Sequence, residues 1–587
     1  MTGERFLALA AEHGARPGLM GEVADRSQRL SALEVVLRTG RTVLMVAGHA
    51  PVLAPPGLGG AVVGRVFRRD AHRKVENLAM AEIAELRGSR GEILFEQYWG
   101  SYVAVIEDPD TSEVHVLRDP IGEARCFHAG RDGITGFASE PGLLIAAGLV
   151  PASIDWGGLA QHLLYEQLQA ERTALRDVGE LLAGTRMTVG RGRTCTTLWS
   201  PWRHAARASL IRDEGEAAGA LRRTVQECTS AWAGCFDRSI ASVSGGLDSS
   251  IVAAGLAGAS ADFRCITFVT ADPSGDERDY AAALSDHVGV PLAEHLLDVS
   301  DVDLARSGGA RFARPVARSF AQAGDAATLA LARACGAQAL FNGAGGDNVF
   351  CFLQSAAPLA DRVFVEGFGK GAWQTLGDIS ALAPASYWDV ARSAGRKLMS
   401  RRKRYPWKAD AAFLHPDLNL PHEAACRHPW LDAPDDALPG KAAHIALLLR
   451  IQNHLQTERS LTLPTVSPLL SQPVAELCLR IPSWMWCGGG ENRHIARKAF
   501  ADALPRAVID RRSKGTPDSF VAALFEKNRA WIAETLLDGL MAREGLLDRA
   551  AISRSIAENR IVRGHDYWRL MRLVDAETWT RSWTGCA

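Results

Sequence analysis

Two hydrophobic patterns divide the chain. From about Gly91 to Ile145, short apolar runs alternate with turns: residues 102–106 are followed by Asp108-Pro109-Asp110 and then by residues 114–117. Such runs are typical of antiparallel strands. After Trp199-Ser200-Pro201-Trp202, longer Ala-rich and Leu-rich stretches such as residues 214–231 predict helices. We therefore expect a β-rich domain over residues 1–200 and a second, helix-rich domain over residues 205–587.

The second half also contains short apolar strands between its helices. Residues 238–243 form an apolar run, a glycine-rich loop follows, and a helical pattern covers residues 249–256. Further apolar runs lie at residues 265–269 and 339–341. Strands that alternate with helices predict an α/β fold with a parallel sheet covered on both faces, and ligands bind such sheets at the carboxyl ends of the strands.

The loop after the first of these strands reads Ser244-Gly245-Gly246-Leu247-Asp248-Ser249-Ser250. Small residues let backbone N–H groups approach an anion, and the positive end of the following helix points at the same place. The Asp248 carboxylate would need a cation between itself and a phosphate, which we expect to be Mg²⁺. Gly-Gly turns between strand and helix are common. The full Ser-Gly-Gly-x-Asp-Ser sequence after an apolar strand and before a helix, however, predicts a pyrophosphate site. No Gly-x4-Gly-Lys-[Ser/Thr] motif occurs, which argues against γ-phosphate transfer of the Walker type.

A second glycine-rich loop follows the strand at residues 339–341. It reads Asn342-Gly343-Ala344-Gly345-Gly346-Asp347-Asn348 and supplies another carboxylate. Two carboxylates that face one polyphosphate are a usual arrangement for Mg²⁺ in ATP enzymes. Asp347 is therefore the predicted partner of Asp248, and the two loops together predict an ATP site.

The amino-acid composition argues against several classes of function. The chain is 47% hydrophobic and 23% charged, as in folded proteins, and 66 basic residues nearly cancel 67 acidic ones. This balance argues against nucleic-acid and membrane partners, so any polyanion must be held locally. The eleven cysteines show no zinc-site spacing, and no apolar run approaches the roughly 20 residues of a membrane span. We expect a soluble, cytoplasmic protein.

Several motifs resemble those of the asparagine-synthetase superfamily. The resemblance implies an N-terminal glutaminase-like, β-rich sandwich domain and a C-terminal pyrophosphate-loop synthetase domain with many helices. The synthetase domain would activate a carboxylate by its attack on the α-phosphate of ATP, with release of pyrophosphate. The matching segments are residues 117–122 (Leu-Arg-Asp-Pro-Ile-Gly), residues 137–140, the pyrophosphate loop, Asp276-Glu277, residues 343–347, residues 467–470 and residues 512–515.

The same resemblance implies roles for individual residues. Asp248 and Asp347 would hold Mg²⁺, and Lys514 would stabilise charge on the α-phosphate and on the tetrahedral intermediate. Phe268 and Gly343 would lie beside the adenine. Glu458 is a candidate base or carboxylate orienter. The remaining predicted contacts to ATP come from Val243, Ser244, Gly245, Gly246, Ser249 and Ser250.

The chain departs from the family pattern at decisive positions. Family glutaminases use an N-terminal cysteine, whereas position 2 here is Thr2, so we expect a degenerate domain without glutamine hydrolysis. A threonine hydroxyl acting as the nucleophile of an N-terminal hydrolase is the alternative. Asparagine synthetases carry a glutamate where this chain has Ala344 and an acidic residue where it has Asn348. Synthesis of asparagine is therefore not expected.

Residues 345–350 (Gly-Gly-Asp-Asn-Val-Phe) and 467–473 (Ser-Pro-Leu-Leu-Ser-Gln-Pro) resemble the lasso-peptide macrolactam synthetases, or lasso cyclases. In that group an Asp or Glu side chain of a precursor peptide is adenylated and then attacked by the peptide's own N-terminal amine. An α-amine has a pKa of about 7.7–8.0, so it needs less help from a base than an alkyl amine. The implied partners are the precursor peptide, a leader peptidase and a leader-recognition protein.

Two other hypotheses stay open. One is a different amide synthetase of the superfamily, either ammonia-dependent or a β-lactam-type ring closer. The other is a catalytically silent scaffold that binds a peptide or a nucleotide. Retention of Asp248, Asp347 and Lys514 argues against the scaffold, because binding alone would not require all three.

Overall fold

The computed structural model describes residues 5–272, 276–400, 404–418, 427–512, 515–557 and 566–585. In these ranges the strands are β1 Phe6–Ala11, β2 Glu34–Arg38, β3 Thr42–Val46, β4 Val52–Leu53, β5 Gly60–Arg68, β6 Tyr98–Glu107, β7 Val114–Arg118, β8 Phe127–Arg131, β9 Ile134–Ala138, β10 Gly179–Glu180, β11 Thr185–Val189, β12 Arg193–Thr197, β13 Ser239–Ser242, β14 Phe263–Val269, β15 Leu292–Leu296, β16 Ala339–Phe341 and β17 Thr465–Val466.

The α-helices of the described ranges concentrate in the second half of the chain. They are α1 Leu19–Ser31, α2 Met80–Gly88, α3 Ile93–Glu96, α4 Pro141–Ala146, α5 Trp156–Leu164, α6 Trp202–Ala205, α7 Glu214–Ala233, α8 Leu247–Gly258, α9 Arg278–Val288, α10 Gln322–Cys335, α11 Gly346–Val349, α12 Ala357–Glu366, α13 Lys370–Leu382, α14 Tyr387–Met399, α15 Pro439–Gln452, α16 Gln472–Arg480, α17 His494–Phe500, α18 Arg506–Ile509, α19 Asp518–Lys527, α20 Arg529–Leu537, α21 Leu540–Arg543, α22 Arg549–Ala557 and α23 Asp566–Thr584. None of the helices in these ranges has the length and apolarity to cross a bilayer.

The first twelve strands form two antiparallel sheets that face each other. Their orders are β10-β8-β9-β1-β3-β2 and β12-β11-β7-β6-β5-β4. Alternate side chains of a strand face opposite sides of its sheet. Phe6 and Ala8 of β1 pack against Val103 and Val105 of β6 between the sheets, whereas Leu7 packs with helices on the outer face. This period-two burial is what an antiparallel sandwich requires.

The other five strands form a parallel sheet of order β15-β14-β13-β16-β17. One face packs Ala241 and Phe341 with helices that include α7 and α8, and the other packs Ile240 and Leu340 with α10. Because both faces are covered, the strands are apolar on both sides. The carboxyl ends of β13, β16 and β17 lead into residues 244–250, 342–348 and 467–470, so these three segments meet at one edge.

Charged side chains join the two parts. Glu476 of α16 accepts hydrogen bonds from Arg69 (2.7 and 2.9 Å) and from the Trp199 indole (2.9 Å). Glu180, fully buried in the sandwich, pairs with Arg118 at 2.9 Å and with Arg314 from the synthetase side. The sandwich is thereby held firmly against the parallel sheet and its helices.

The predicted α/β class, with a β-rich sandwich before a helix-rich half, is confirmed. The predicted strands at residues 102–106, 114–117, 238–243, 265–269 and 339–341 coincide with β6, β7, β13, β14 and β16, within a few residues at their ends. Two edge strands were missed, since β15 is only half buried and β17 is two residues long. Such elements have too little periodicity to be recognised.

Candidate active site

The glycine-rich loops border a cavity of about 230 Å³ at the carboxyl edge of the parallel sheet. Helix α8 begins at Leu247 and directs its free N–H groups toward this space. The lining therefore combines a helix N-terminus with polar and basic side chains. It consists of Ser242, Ser244, Gly246, Leu247, Asp248, Ser249, Glu277, Asn342, Gly343, Arg493, Arg497 and Arg511.

The two loops lie so close together that glycine is required between them. A Cβ added at Gly343 would collide with the backbone of Ser249, and one at Gly346 would collide with the Asp248 side chain. Gly245 has a φ of +61°, and its α-carbon faces Tyr280 with no room for a methyl group. The glycines thus bring two carboxylate-bearing loops into direct contact.

Asp248 and Asp347 converge on one point. Nη1 of Arg493 lies 3.0 Å from both oxygens of Asp248 and 2.8 Å from Oδ1 of Asp347. Arg493 has a φ of +55° just before α17, and its guanidinium stacks over Phe352 at 5.6 Å. The two carboxylates thus share one guanidinium, which marks the point between them as a place for positive charge.

These donors fit a magnesium ion. Two carboxylates directed at one point supply oxygen ligands of the kind Mg²⁺ prefers, and it usually takes its other ligands from phosphates and water. Among the described residues no group of three or more His, Cys, Asp or Glu could hold a metal without such help. Asp248 and Asp347 are the residues that would hold the ion together with a bound nucleotide.

Two more arginines surround the pyrophosphate loop. Arg511 donates to the Ser244 carbonyl at 3.0 Å, pairs with Glu277 and stacks on Tyr280 at 4.2 Å. Arg497 bonds the carbonyl of Arg511 at 3.0 Å, and burial followed by the nearby charge of Arg493 lowers the pKa of its guanidinium. The site thus contains three guanidiniums and the three carboxylates of Asp248, Asp347 and Glu277, so its formal charges balance. A polyphosphate would need additional positive charge, which a magnesium ion held by Asp248 and Asp347 would supply.

The predicted site residues divide into three groups. Ser244, Gly246, Asp248, Ser249 and Gly343 line the cavity, and Asp347 joins them through Arg493. Val243, Gly245, Ser250 and Phe268 are not part of the lining: Val243 and Ser250 are core residues, and Phe268 lies beside Gly324 of α10. Thr2 and Lys514 fall outside the described residues.

Glu458 is also placed away from the cavity. It pairs with Arg306, and it is absent from the lining of this cavity and of a second one nearby, although its neighbours Thr457 and Arg459 line the second. Its role as a base stays a prediction that the geometry does not support. Gly515, next to Lys514 in sequence, donates its N–H to Glu277 at 2.9 Å.

The second cavity, of about 160 Å³, adjoins the first at Asn342. It lies between the sandwich, which contributes Phe6, Ser101 and Ser139, and the synthetase half, which contributes Ala344 and Ser467. The Ser467 hydroxyl donates to Oδ1 of Asn342 at 2.8 Å, so the segment after β17 is fixed to the loop after β16. The ionisable residues in this lining are Arg65, Glu123, Arg125, His454 and Arg459.

Sequence reasoning missed the three arginines of the site. Arg493 follows the triple glycine at residues 488–490 and precedes a helix, which is the arrangement of an anion-binding turn. That signal was available. Arg497 and Arg511 carry no local signal, because only folding brings them to a loop about 250 residues earlier in the chain.

Comparisons with protein-family models agree with this architecture. The family model for asparagine synthase matches residues 220–581, and the model for a glutamine amidotransferase domain matches residues 81–200. No curated protein shows a significant match. A structure of the allosteric regulatory enzyme of purine biosynthesis is 11% identical with a TM-score of 0.20, and the match covers 50% of this chain and 74% of that one. Glutamine phosphoribosylpyrophosphate amidotransferase from B. subtilis, in complex with ADP and GMP, is 12% identical with a TM-score of 0.20, covering 52% and 77%.

The asparagine synthase model covers well over half of the chain, and its match includes both glycine loops, both carboxylates and all three arginines of the cavity. The amidotransferase match falls within the antiparallel sandwich. With its glutaminase-type sandwich and its helix-rich synthetase domain, the chain belongs to the asparagine synthase family of ATP-dependent amide-forming enzymes.

Proposed function

We propose that this protein closes a macrolactam in lasso-peptide biosynthesis. A side-chain carboxylate of Asp or Glu in a precursor peptide attacks the α-phosphorus of ATP, and pyrophosphate leaves. The N-terminal amine of the same peptide then attacks the acyl carbon, loses a proton and expels AMP. One isopeptide bond forms, and the cyclic product is one water lighter than the linear peptide.

The observation that carries the proposal is the contact between the two segments that resemble lasso cyclases. A Cβ at Gly345 would collide with the Leu470 side chain, and just before the two segments the Asn342 N–H donates to the Val466 carbonyl at 3.1 Å. Asn348, at the position where asparagine synthetases are acidic, donates to the Leu447 carbonyl at 2.7 Å. These segments meet where the two cavities join. An activated carboxyl group would meet its nucleophile at this junction.

The chemistry at this junction favours a nucleophile that is easily deprotonated. Ala344 lines the second cavity, so the loop after β16 offers no carboxylate there. An α-amine, with a pKa of about 7.7–8.0, is partly neutral at pH 7 and needs little assistance from a base. Because amine and acyl group belong to one peptide, orientation can supply much of the rate enhancement.

The residues of the first cavity would bind and orient the nucleotide. Arg493, Arg497 and Arg511, together with the N-terminus of α8, would hold the phosphates. A magnesium ion held by Asp248 and Asp347 would neutralise charge on the phosphates. Lys514 remains the predicted residue for stabilising the oxyanion, as the family resemblance implies.

The test uses the purified protein, Mg-ATP and a candidate precursor core peptide. We expect pyrophosphate and AMP release that depends on the peptide, and a product one water lighter. N-terminal acetylation of the peptide should stop ring closure, and replacing its acceptor Asp or Glu by the amide should stop pyrophosphate release as well. Asp347→Ala should abolish both.

The control is Asp132→Asn, which removes an exposed charge from a sandwich hairpin, keeps a residue type that tolerates the φ of +53° there, and should leave turnover unchanged. Turnover with aspartate and ammonium, but not with peptide, would overturn the proposal in favour of an ammonia-dependent synthetase. Nucleotide binding without turnover of any of these substrates, even with the neighbouring leader peptidase and leader-recognition protein added, would favour the scaffold.

A further inference from the structure

Large hydrophobic side chains are exposed in one region of the helical half. Among the described residues, nine large hydrophobic side chains are exposed, and five of them lie between residues 368 and 399. We call these five the aromatic patch. They are Phe368 (87% exposed), Trp373 (72%), Tyr387 (59%), Trp388 (75%) and Met399 (87%). Aromatic residues normally bury most of their surface, so this cluster calls for a covering partner.

The patch lies on adjoining surfaces of two helices. Trp373 and Gly377 are one turn apart on α13, and a methyl group at Gly377 would lie 3.6 Å from the Tyr387 hydroxyl of α14. Trp388 and Met399 mark the two ends of the exposed face of α14, opposite the buried Val390 and Ala394.

Phe368 projects from the turn before α13. A Cβ added at either of its neighbours, Gly367 or Gly369, would meet no atom within 4 Å, so the turn is open on its outer side. The apolar side chains therefore protrude from the surface. A protruding apolar loop beside an amphipathic helix is typical of segments that enter a lipid interface.

Positive charge surrounds the patch. Arg392 and Arg396 lie between Trp388 and Met399 on α14, with Lys397 beside them, and Lys370 begins α13. Within the described part of the chain, none of these four cations has a carboxylate partner. The exposed carboxylates of the region are engaged, because Glu366 pairs with Arg362 at 2.8 Å and Asp389 accepts a hydrogen bond from Ser386 at 2.6 Å.

We propose that the aromatic patch docks the protein on an anionic lipid surface. Tryptophan, tyrosine and phenylalanine side chains would enter the interface, and Arg392 and Arg396 would contact acidic headgroups. The near-neutral charge of the whole chain does not oppose this, because screening limits the attraction to charges within about 10 Å of the membrane. The five residues of the patch line neither of the two cavities.

Vesicle co-sedimentation tests the proposal with the full-length protein. We expect binding to phosphatidylcholine vesicles containing about 30 mol% phosphatidylglycerol, little binding to pure phosphatidylcholine, and weakening by salt. Arg392→Gln with Arg396→Gln should weaken binding about 30-fold, since each cation near the surface contributes about 1 kcal/mol. Trp373→Gln with Trp388→Gln should weaken it by at least about tenfold.

Matched controls separate the patch from general surface effects. Met80→Gln with Leu296→Gln removes exposed apolar side chains elsewhere, and Arg333→Gln removes an exposed cation from α10; both should bind like the wild type. Brominated lipids should quench the wild-type fluorescence more strongly than that of Trp373→Phe with Trp388→Phe. All variants should keep the wild-type melting temperature and amide-forming activity.

Failure to co-sediment with anionic vesicles would overturn the proposal. Wild-type vesicle binding by the arginine and tryptophan variants would also overturn it, because another surface would then be responsible for the binding. A different result would assign the patch to contact with a second copy of the chain. In that case the wild-type protein would not bind vesicles, it would form dimers without lipid, and Trp373→Gln with Trp388→Gln would abolish the dimers.

Discussion

Gly343→Ala tests the close contact between the two glycine loops. The φ of Gly343 is outside the left-handed region, so alanine brings no backbone strain, and its effect comes from space alone. The new Cβ would lie 2.7 Å from the Asp248 carbonyl carbon and 2.8 Å from the Ser249 α-carbon. Because these are backbone atoms, no rotamer change relieves the overlap, and the loops must separate by roughly 1 Å.

This separation should reduce activity more than stability. We expect unfolding to become easier by about 1–3 kcal/mol, as for other overpacked sites. Displacing Asp347 relative to Asp248 by about 1 Å should lower kcat/KM for pyrophosphate release about 100-fold. Initial rates across Mg-ATP concentrations and urea unfolding measure the two effects.

Gly142→Ala is the control, because a Cβ there meets nothing within 4 Å. It should leave both quantities nearly unchanged. Wild-type kcat/KM in Gly343→Ala would refute the claim that contact between the loops sets the geometry of the carboxylates. A loss of stability without loss of activity would refute it equally.

Three other contacts can be tested by single substitutions. Arg493→Met should raise the KM for Mg-ATP by at least about tenfold, and Arg493→Lys should raise it by less, since charged hydrogen bonds contribute about 1.5–3 kcal/mol. An unchanged KM in initial-rate assays would exclude phosphate binding by Arg493. Glu180→Gln removes the carboxylate that pairs with two buried guanidiniums, and it should lower the free energy of unfolding in urea by about 3–5 kcal/mol. Glu526→Gln, which breaks an exposed pair, should lower it by less than about 1 kcal/mol. Burial lowers the pKa of His444, which contacts the Val349 carbonyl, to about 3 from an ordinary 6.5. The unfolded chain therefore binds more protons between these values, so stability should fall as pH drops through this window, and His444→Gln should flatten that slope in pH-dependent thermal unfolding.

The sequence alone predicted the parts of the fold that local patterns encode. The apolar runs that form β6 and β7, and the strand-loop-helix order around residues 244–250, depend on residues a few positions apart. Asp248 and Asp347 could be paired in advance, because both follow strands of one parallel sheet and such ends share an edge. Ala344 and Thr2, compared with the family pattern, shaped the functional hypothesis without any tertiary information.

Only the tertiary structure decided which distant side chains reach that edge. Arg493 is 245 residues from Asp248 in sequence, and its place between the carboxylates results from the packing of α17 and the turn before it. Glu458 is a predicted candidate base, and the tertiary structure places it in an ion pair with Arg306. The aromatic patch is the converse case: side chains of these types are usually buried, and only the packing of α13 and α14 shows that they face outward. Local patterns determine which elements form, whereas long-range packing determines what those elements present to one another and to the surroundings.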